Sequence, residues 1–260
     1  MKRQLLSLML TLIVLHVPSM KAAAKDYPEP SAELCSIYRQ GPVVHRRMPV
    51  YYGAPSEDSS AFYWIDFLFR PEYLFDLGTA DLPRPDGLPN RDLLFDINIA
   101  DGQPLPLEYR RSARPQEDRF FTLLLLGGLE GLQIDRYLAT FANWHIYERD
   151  RFRNGEIPQV IWTGDFVSGI ERIELQDLRQ YSSFPEMEDF FADLTDEGEI
   201  TAVMSCDIDG TVPLSHCDLK EKSEFFEMDI GGFRRNQLDR LEVIRRHARN
   251  FTACLTWEGE

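Results

Sequence analysis

Four cysteines constrain this chain more than any other residues, because the segment in front of them decides the redox state in which they work. Met1-Lys2-Arg3 is followed by an apolar run from Leu5 to Val17, broken by Ser7, Thr11 and His16, and then by Ala22-Ala23-Ala24. A basic start, an apolar middle and small residues, in that order, read as a secretory signal peptide cleaved after Ala24. The run holds 13 residues, too few for a bilayer span of about 20, which argues against an uncleaved anchor. No cysteine stands at the cleavage point to carry a lipid, since the first is Cys35. The expected destination is the periplasm or beyond, where thiols oxidise in pairs.

Cys35, Cys206, Cys217 and Cys254 allow three disulfide connectivities. Cys206 and Cys217 lie close together with turn residues between them, so they are expected to pair. That leaves Cys35 with Cys254, a bridge joining the two ends of the mature chain. Loop entropy predicts about 3 kcal/mol from the short bridge and about 5 kcal/mol from the long one. The spacing contains no C-x2-C, so the cysteines do not read as a zinc site, and no metal or cofactor is expected.

Loss of the leader removes Lys2, Arg3 and Lys21 and no acidic residue, taking the formal charge from -15 to -18. So acidic a chain is a poor match for nucleic acid, whose binding depends on lysine and arginine neutralising phosphates. It is equally ill-suited to an anionic membrane surface. A basic protein partner fits it. After Ala24 no apolar run is long enough to span a bilayer, so the expected product is soluble.

The pattern predicts an α+β fold, mostly antiparallel sheet with a C-terminal amphipathic helix and disulfide staples. Residues 25–260 read as one domain, with a candidate boundary near 150–165. Ser31 is a candidate N-cap for a short helix carrying Leu34, Ile37 and Tyr38. Strands are expected over Val43–Tyr52, Ala61–Phe69, Phe120–Leu126, Gln159–Trp162, Ile200–Cys206 and Glu224–Ile230. Leu93–Ile99 and Leu105–Tyr109 flank Asp101-Gly102 like the arms of a hairpin. Pro185–Leu194 reads as a helix, with Ser183 as cap and Met187, Phe190, Phe191 and Leu194 on one face. Gln237–Phe251 reads as a second, with Leu238, Leu241, Ile244, Ala248 and Phe251 as its apolar stripe and Arg240, Arg245, Arg246 and Arg249 mostly outside it.

Candidate sites are few. Ile200 to Thr211 reads ITAVMSCDIDGT, which resembles the first motif of haloacid dehalogenase-like phosphatases. The resemblance implies Asp207 as nucleophile, Asp209 as general acid/base and magnesium between them. The chain then departs from that family, because 49 residues follow Thr211, without an acidic metal-binding pair, and Lys220 and Lys222 come too soon. Between Cys206 and Cys217 the same aspartates and Gly210 read as the turn of a disulfide-closed hairpin. His45, His145, His216 and His247 are scattered, with His145 and Glu148 three residues apart. Glu186, Glu188, Asp189, Asp193, Asp196, Glu197 and Glu199 form an acidic cluster, read as the solvated face of a helix or a docking surface for a basic partner.

From Cys206 to Phe251 the chain runs C-x3-G-x2-P-x3-C, an extended segment, then Phe233-Arg234-Arg235-x2-Leu238 into the last helix. This segment resembles the C-terminal part of small exported proteobacterial proteins, some associated with contact-dependent or type VI secretion loci. The resemblance implies the disulfide hairpin and the terminal helix, and no catalytic residue. Export, the high negative charge and the absence of catalytic signatures make the expected function an exported binding protein, of the immunity type that inhibits a toxin. A hydrolase acting on the cell envelope is the alternative, with its catalytic residues unknown.

Overall fold

The computed structural model describes residues 28–51, 62–75, 92–106, 119–127, 160–175, 188–194, 200–207, 215–223 and 226–256. Residues 1–27, where the signal peptide is expected, and Asp209, Gly210, His145 and Glu148 lie outside these residues. So do residues 76–91, Glu186, Asp196, Glu197 and Glu199.

Ser31 caps the first helix, α1 (Ala32–Ser36), its hydroxyl oxygen accepting from the Leu34 amide at 3.2 Å. Strands β1 (Val44–Tyr51) and β2 (Phe62–Phe69) pair as a two-stranded antiparallel ribbon. The strand expected over Ala61–Phe69 forms, and it is buried on one face. Phe67 and Phe69 are buried, while Trp64 is exposed, with the Arg47 guanidinium 5.9 Å from its ring centroid.

The remaining strands form one eight-stranded sheet. They are β3 (Asp92–Asn98), β4 (Phe120–Gly127), β5 (Val160–Val167), β6 (Ile170–Leu175), β7 (Glu188–Leu194), β8 (Ile200–Asp207), β9 (His216–Lys222) and β10 (Phe226–Arg234). Their order across the sheet is β3-β4-β10-β9-β8-β7-β6-β5, antiparallel at every pairing. From β5 to β10 the chain is a meander, and β4 with β3 extends it beyond β10. A 3-10 turn (Arg235–Arg240) then leads into α2 (Leu241–Leu255).

Alternation along the strands sends one row to α2. Phe95, Leu123, Ile230, Leu219 and Met204 are register partners in sequence across five strands, and all are buried. Against them α2 turns Leu241, Ile244, Ala248, Phe251 and Leu255, nearly the stripe read from its spacing. Phe251 is the centre of an aromatic cluster, with Tyr38, Tyr73 and Phe95 ring centroids 5.7, 4.7 and 5.0 Å away. Both disulfides form as expected. Cys35–Cys254 joins α1 to α2 and Cys206–Cys217 joins β8 to β9.

Three expectations are corrected. Glu188–Leu194 is a strand, not a helix: Phe191 points to the α2 side, Ala192 is buried on the other face, and both sit between β6 and β8. A strand buried on both faces carries consecutive apolar residues, which imitate a helical stripe. Arg245 is buried rather than outside the helical stripe. Finally, the strand partner of β3 is β4, and the turn at Asp101-Gly102 returns the chain for one bridge between Ile97 and Pro104 among the described residues, with 107–109 of the expected arm lying outside them.

Candidate functional site

Several of the charged residues singled out in the sequence are held by other charges. Asp189, in β7, lies between Arg172 of β6, at 2.5 Å, and Arg235 of the turn before α2. Asp193 receives Arg245 at 2.7 Å. Glu221 is 2% exposed and is bound by Arg245 at 2.9 Å and by Arg249. Burial works against the Arg245 charge, yet Glu221 and Asp193 outweigh it and keep its pKa raised. Of the acidic cluster, Asp193 thus ties β7 to the last helix, and Asp189 ties it to β6 and to the turn before that helix. This overturns the reading of Asp189 and Asp193 as a solvated helix face.

Asp207 ends β8, where its Oδ2 accepts from the His216 amide at 3.1 Å and its carbonyl accepts from Arg235 at 3.2 Å. Its hydrogen bonds tie the end of β8 to the start of β9 and to the turn before α2. His247 is half-buried on α2, its Nδ1 3.2 Å from the Tyr38 hydroxyl. Burial and then the Arg246 charge hold its pKa below the usual histidine value, while burial pushes Tyr38 up to about 12. His45 contacts Asp66 at 2.9 Å on the ribbon. Among the described residues no group of three His, Cys, Asp or Glu could hold a metal ion, and no helix is long and apolar enough to cross a membrane.

On the sheet face away from α2, β9 and β10 carry a polar row. Lys220 sits between Glu227 at 3.2 Å and Asp229 at 3.0 Å. The Asp218 carboxyl lies over Gly231, where a Cβ would come within 2.5 Å of its Oδ1. Lost hydration raises that carboxyl to about 6, with Asp229 adding to the rise.

The feature that sequence reading missed is the β5–β6 hairpin. Its root is fixed: Ile170 is buried, Val167 packs on the core, and the Ser168 hydroxyl donates to the Leu238 carbonyl. Ser168 and Gly169 at the turn both have positive φ, 49° and 83°, the backbone of a tight two-residue hairpin. Further along, the register shifts between Trp162 and Phe166. This bulge is held by three hydrogen bonds, from the Gly164 amide to Glu171 at 2.8 Å, from the Asp165 amide to the Thr163 hydroxyl at 3.2 Å, and from that hydroxyl to the Arg172 carbonyl at 2.8 Å. Gly164, at φ 77°, supplies the left-handed conformation the bulge needs.

A rigid root and a braced bulge leave three large apolar side chains in solvent. Phe166 is 64% exposed, Ile161 40% and Trp162 37%. Asp165 is exposed beside them, and Glu171 is the register partner of Phe166. The signal was present in IWTGDFVSGIERIEL as alternation on either side of two glycines. Reading the strand as ending at Trp162 hid it.

The fold is shared with a solved structure described as an immunity protein of the Stenotrophomonas maltophilia type IV secretion system. The two align with a TM-score of 0.51 at 12% sequence identity, covering 73% of this chain and 88% of the other. No protein-family model and no curated protein matches this chain.

Proposed function

We propose that this chain is an exported immunity-type protein, which binds a toxin partner and blocks it. The observation that carries the reading is the fold shared with an immunity protein of a secretion system over 88% of that protein's length. The two disulfides agree with an oxidising compartment. A formal charge of -15 favours a basic partner, drawn in by long-range attraction. The C-x3-G-x2-P-x3-C segment and the helix after it, similar to exported proteins of secretion loci, point the same way.

The test is growth rescue. Cells producing, one at a time, the secretion-system effectors of the same organism in their periplasm are given this chain with its leader. Rescue against one effector, with a stoichiometric complex that salt weakens, is the expected result. Failure against every effector contradicts the reading, and turnover of an envelope polymer by the purified chain then favours a hydrolase.

A further inference from the structure

We infer that the β5–β6 hairpin is the docking element of this protein, and that it plugs an apolar pocket ringed by lysine and arginine on the toxin partner. The inference rests on the immunity-type reading and specifies where that binding occurs.

Trp162 and Phe166 are on one face of the sheet, since their register partners Ile173 and Glu171 are two residues apart on β6. An exposed aromatic pair on a hairpin with a fixed root is expensive in water unless a partner covers it. It is also suited to contact, because a rigid aromatic gives up little conformational freedom on binding. The bulge decides the manner of docking. It interrupts β5 between Trp162 and Phe166, so an incoming strand could not continue a hydrogen-bonded ladder along the whole edge. Contact through side chains remains.

Charge identifies the occupant. Asp165 and Glu171 flank the aromatics, while Arg172, the one cation of Val160–Leu175, is engaged by Asp189. The hairpin therefore offers apolar anchors inside a negative rim, on a chain whose net charge is itself -15. A second copy of this chain would oppose like with like. A basic partner meets complementary charge at the rim and an unfilled apolar contact at the centre.

The experiment uses the effector that passes the growth-rescue test and the full mature chain. Binding is measured by calorimetry for Phe166→Ser, Trp162→Ser and Asp165→Lys, beside Phe75→Ser, which truncates a residue 57% exposed at the opposite edge of the sheet. Circular dichroism confirms that each variant is folded. Phe166→Ser is expected to weaken binding by about 30-fold or more. Asp165→Lys is expected to slow association and flatten its salt dependence, and Phe75→Ser to bind as the parent does. Parent-like affinity of both aromatic variants overturns the inference while leaving the immunity-type reading intact. Loss of self-association in the hairpin variants, with effector binding unchanged, also overturns it, by making a second copy the occupant. If no effector passes the rescue test, the reading itself falls and takes the inference with it.

Discussion

At one edge of the main sheet, the outer side of β3 is bonded to neighbouring chain; at the other, β5 presents aromatic side chains to solvent. The Phe75 amide donates to the Leu94 carbonyl at 3.0 Å, Leu74 bridges Phe95, and the Asn98 amide donates to the Gln103 carbonyl at 2.8 Å. The Tyr73 hydroxyl donates to the Gly102 carbonyl at 2.9 Å and locks this cover in place. Among the described residues β5 pairs with β6 on one side and with nothing on the other. The β3 side is organised for stability, with α1, the Cys35–Cys254 bridge and the Phe251 aromatic cluster gathered there. The β5 side is organised for contact, with a bulge that discourages strand pairing and aims side chains outward. Substitutions in the core beside β3 should therefore cost stability, and substitutions of the exposed side chains of the β5–β6 hairpin should leave it unchanged.

Removal of the end-to-end bridge should have the largest effect. Cys35→Ala with Cys254→Ala opens a loop of sequence separation 219, and a loss of about 5 kcal/mol is expected in urea unfolding. A loss under about 1 kcal/mol would mean that the unfolded chain is already compact. Next, Phe251→Ala should cost about 3–5 kcal/mol in the same assay, since it empties the contact among Tyr38, Tyr73 and Phe95. Phe166→Ser should stay within about 0.5 kcal/mol of the parent. Equal costs at the two positions would erase the distinction between the edges.

The smallest effect is a pH dependence on the polar row. Asp218 has its carboxyl raised from 3.8 to about 6 by lost hydration first and by Asp229 next, with Asp207 adding and His216 and Lys220 opposing. A raised carboxyl binds its proton more tightly folded than unfolded, so its contribution falls as pH rises from about 4 through about 6. Asp218→Asn should thus raise the urea midpoint at pH 7 and change it little at pH 4. A larger gain at pH 4 than at pH 7 would reverse the sign and refute the assignment.

Much of this division was visible in the chain. The Cys206–Cys217 spacing marked a covalent hairpin, leaving Cys35 for Cys254, and the stripe from Leu238 to Phe251 marked α2. These signals are local or repeat at a fixed period. Partners distant in sequence were not visible. Nothing near Arg245 indicates that it reaches back to Glu221 and Asp193, or near Asp189 that Arg235 will cover it. Strand β9 was missed because Glu221 occupies a core position, made tolerable by two arginines of α2. The apolar run of β7 misled in another way, since burial on both faces removes the alternation that identifies a strand. The docking hairpin was missed at its bulge, where Thr163-Gly164-Asp165 looks like the end of a strand.

The most direct test of partner binding through the β5 edge is amide hydrogen exchange, comparing the chain alone with its complex with the effector that passes the growth-rescue test. Protection gained over Val160–Leu175, with Asp92–Asn98 exchanging as in the free chain, is the predicted result. Protection gained at Asp92–Asn98 with the β5–β6 hairpin unchanged would contradict the account.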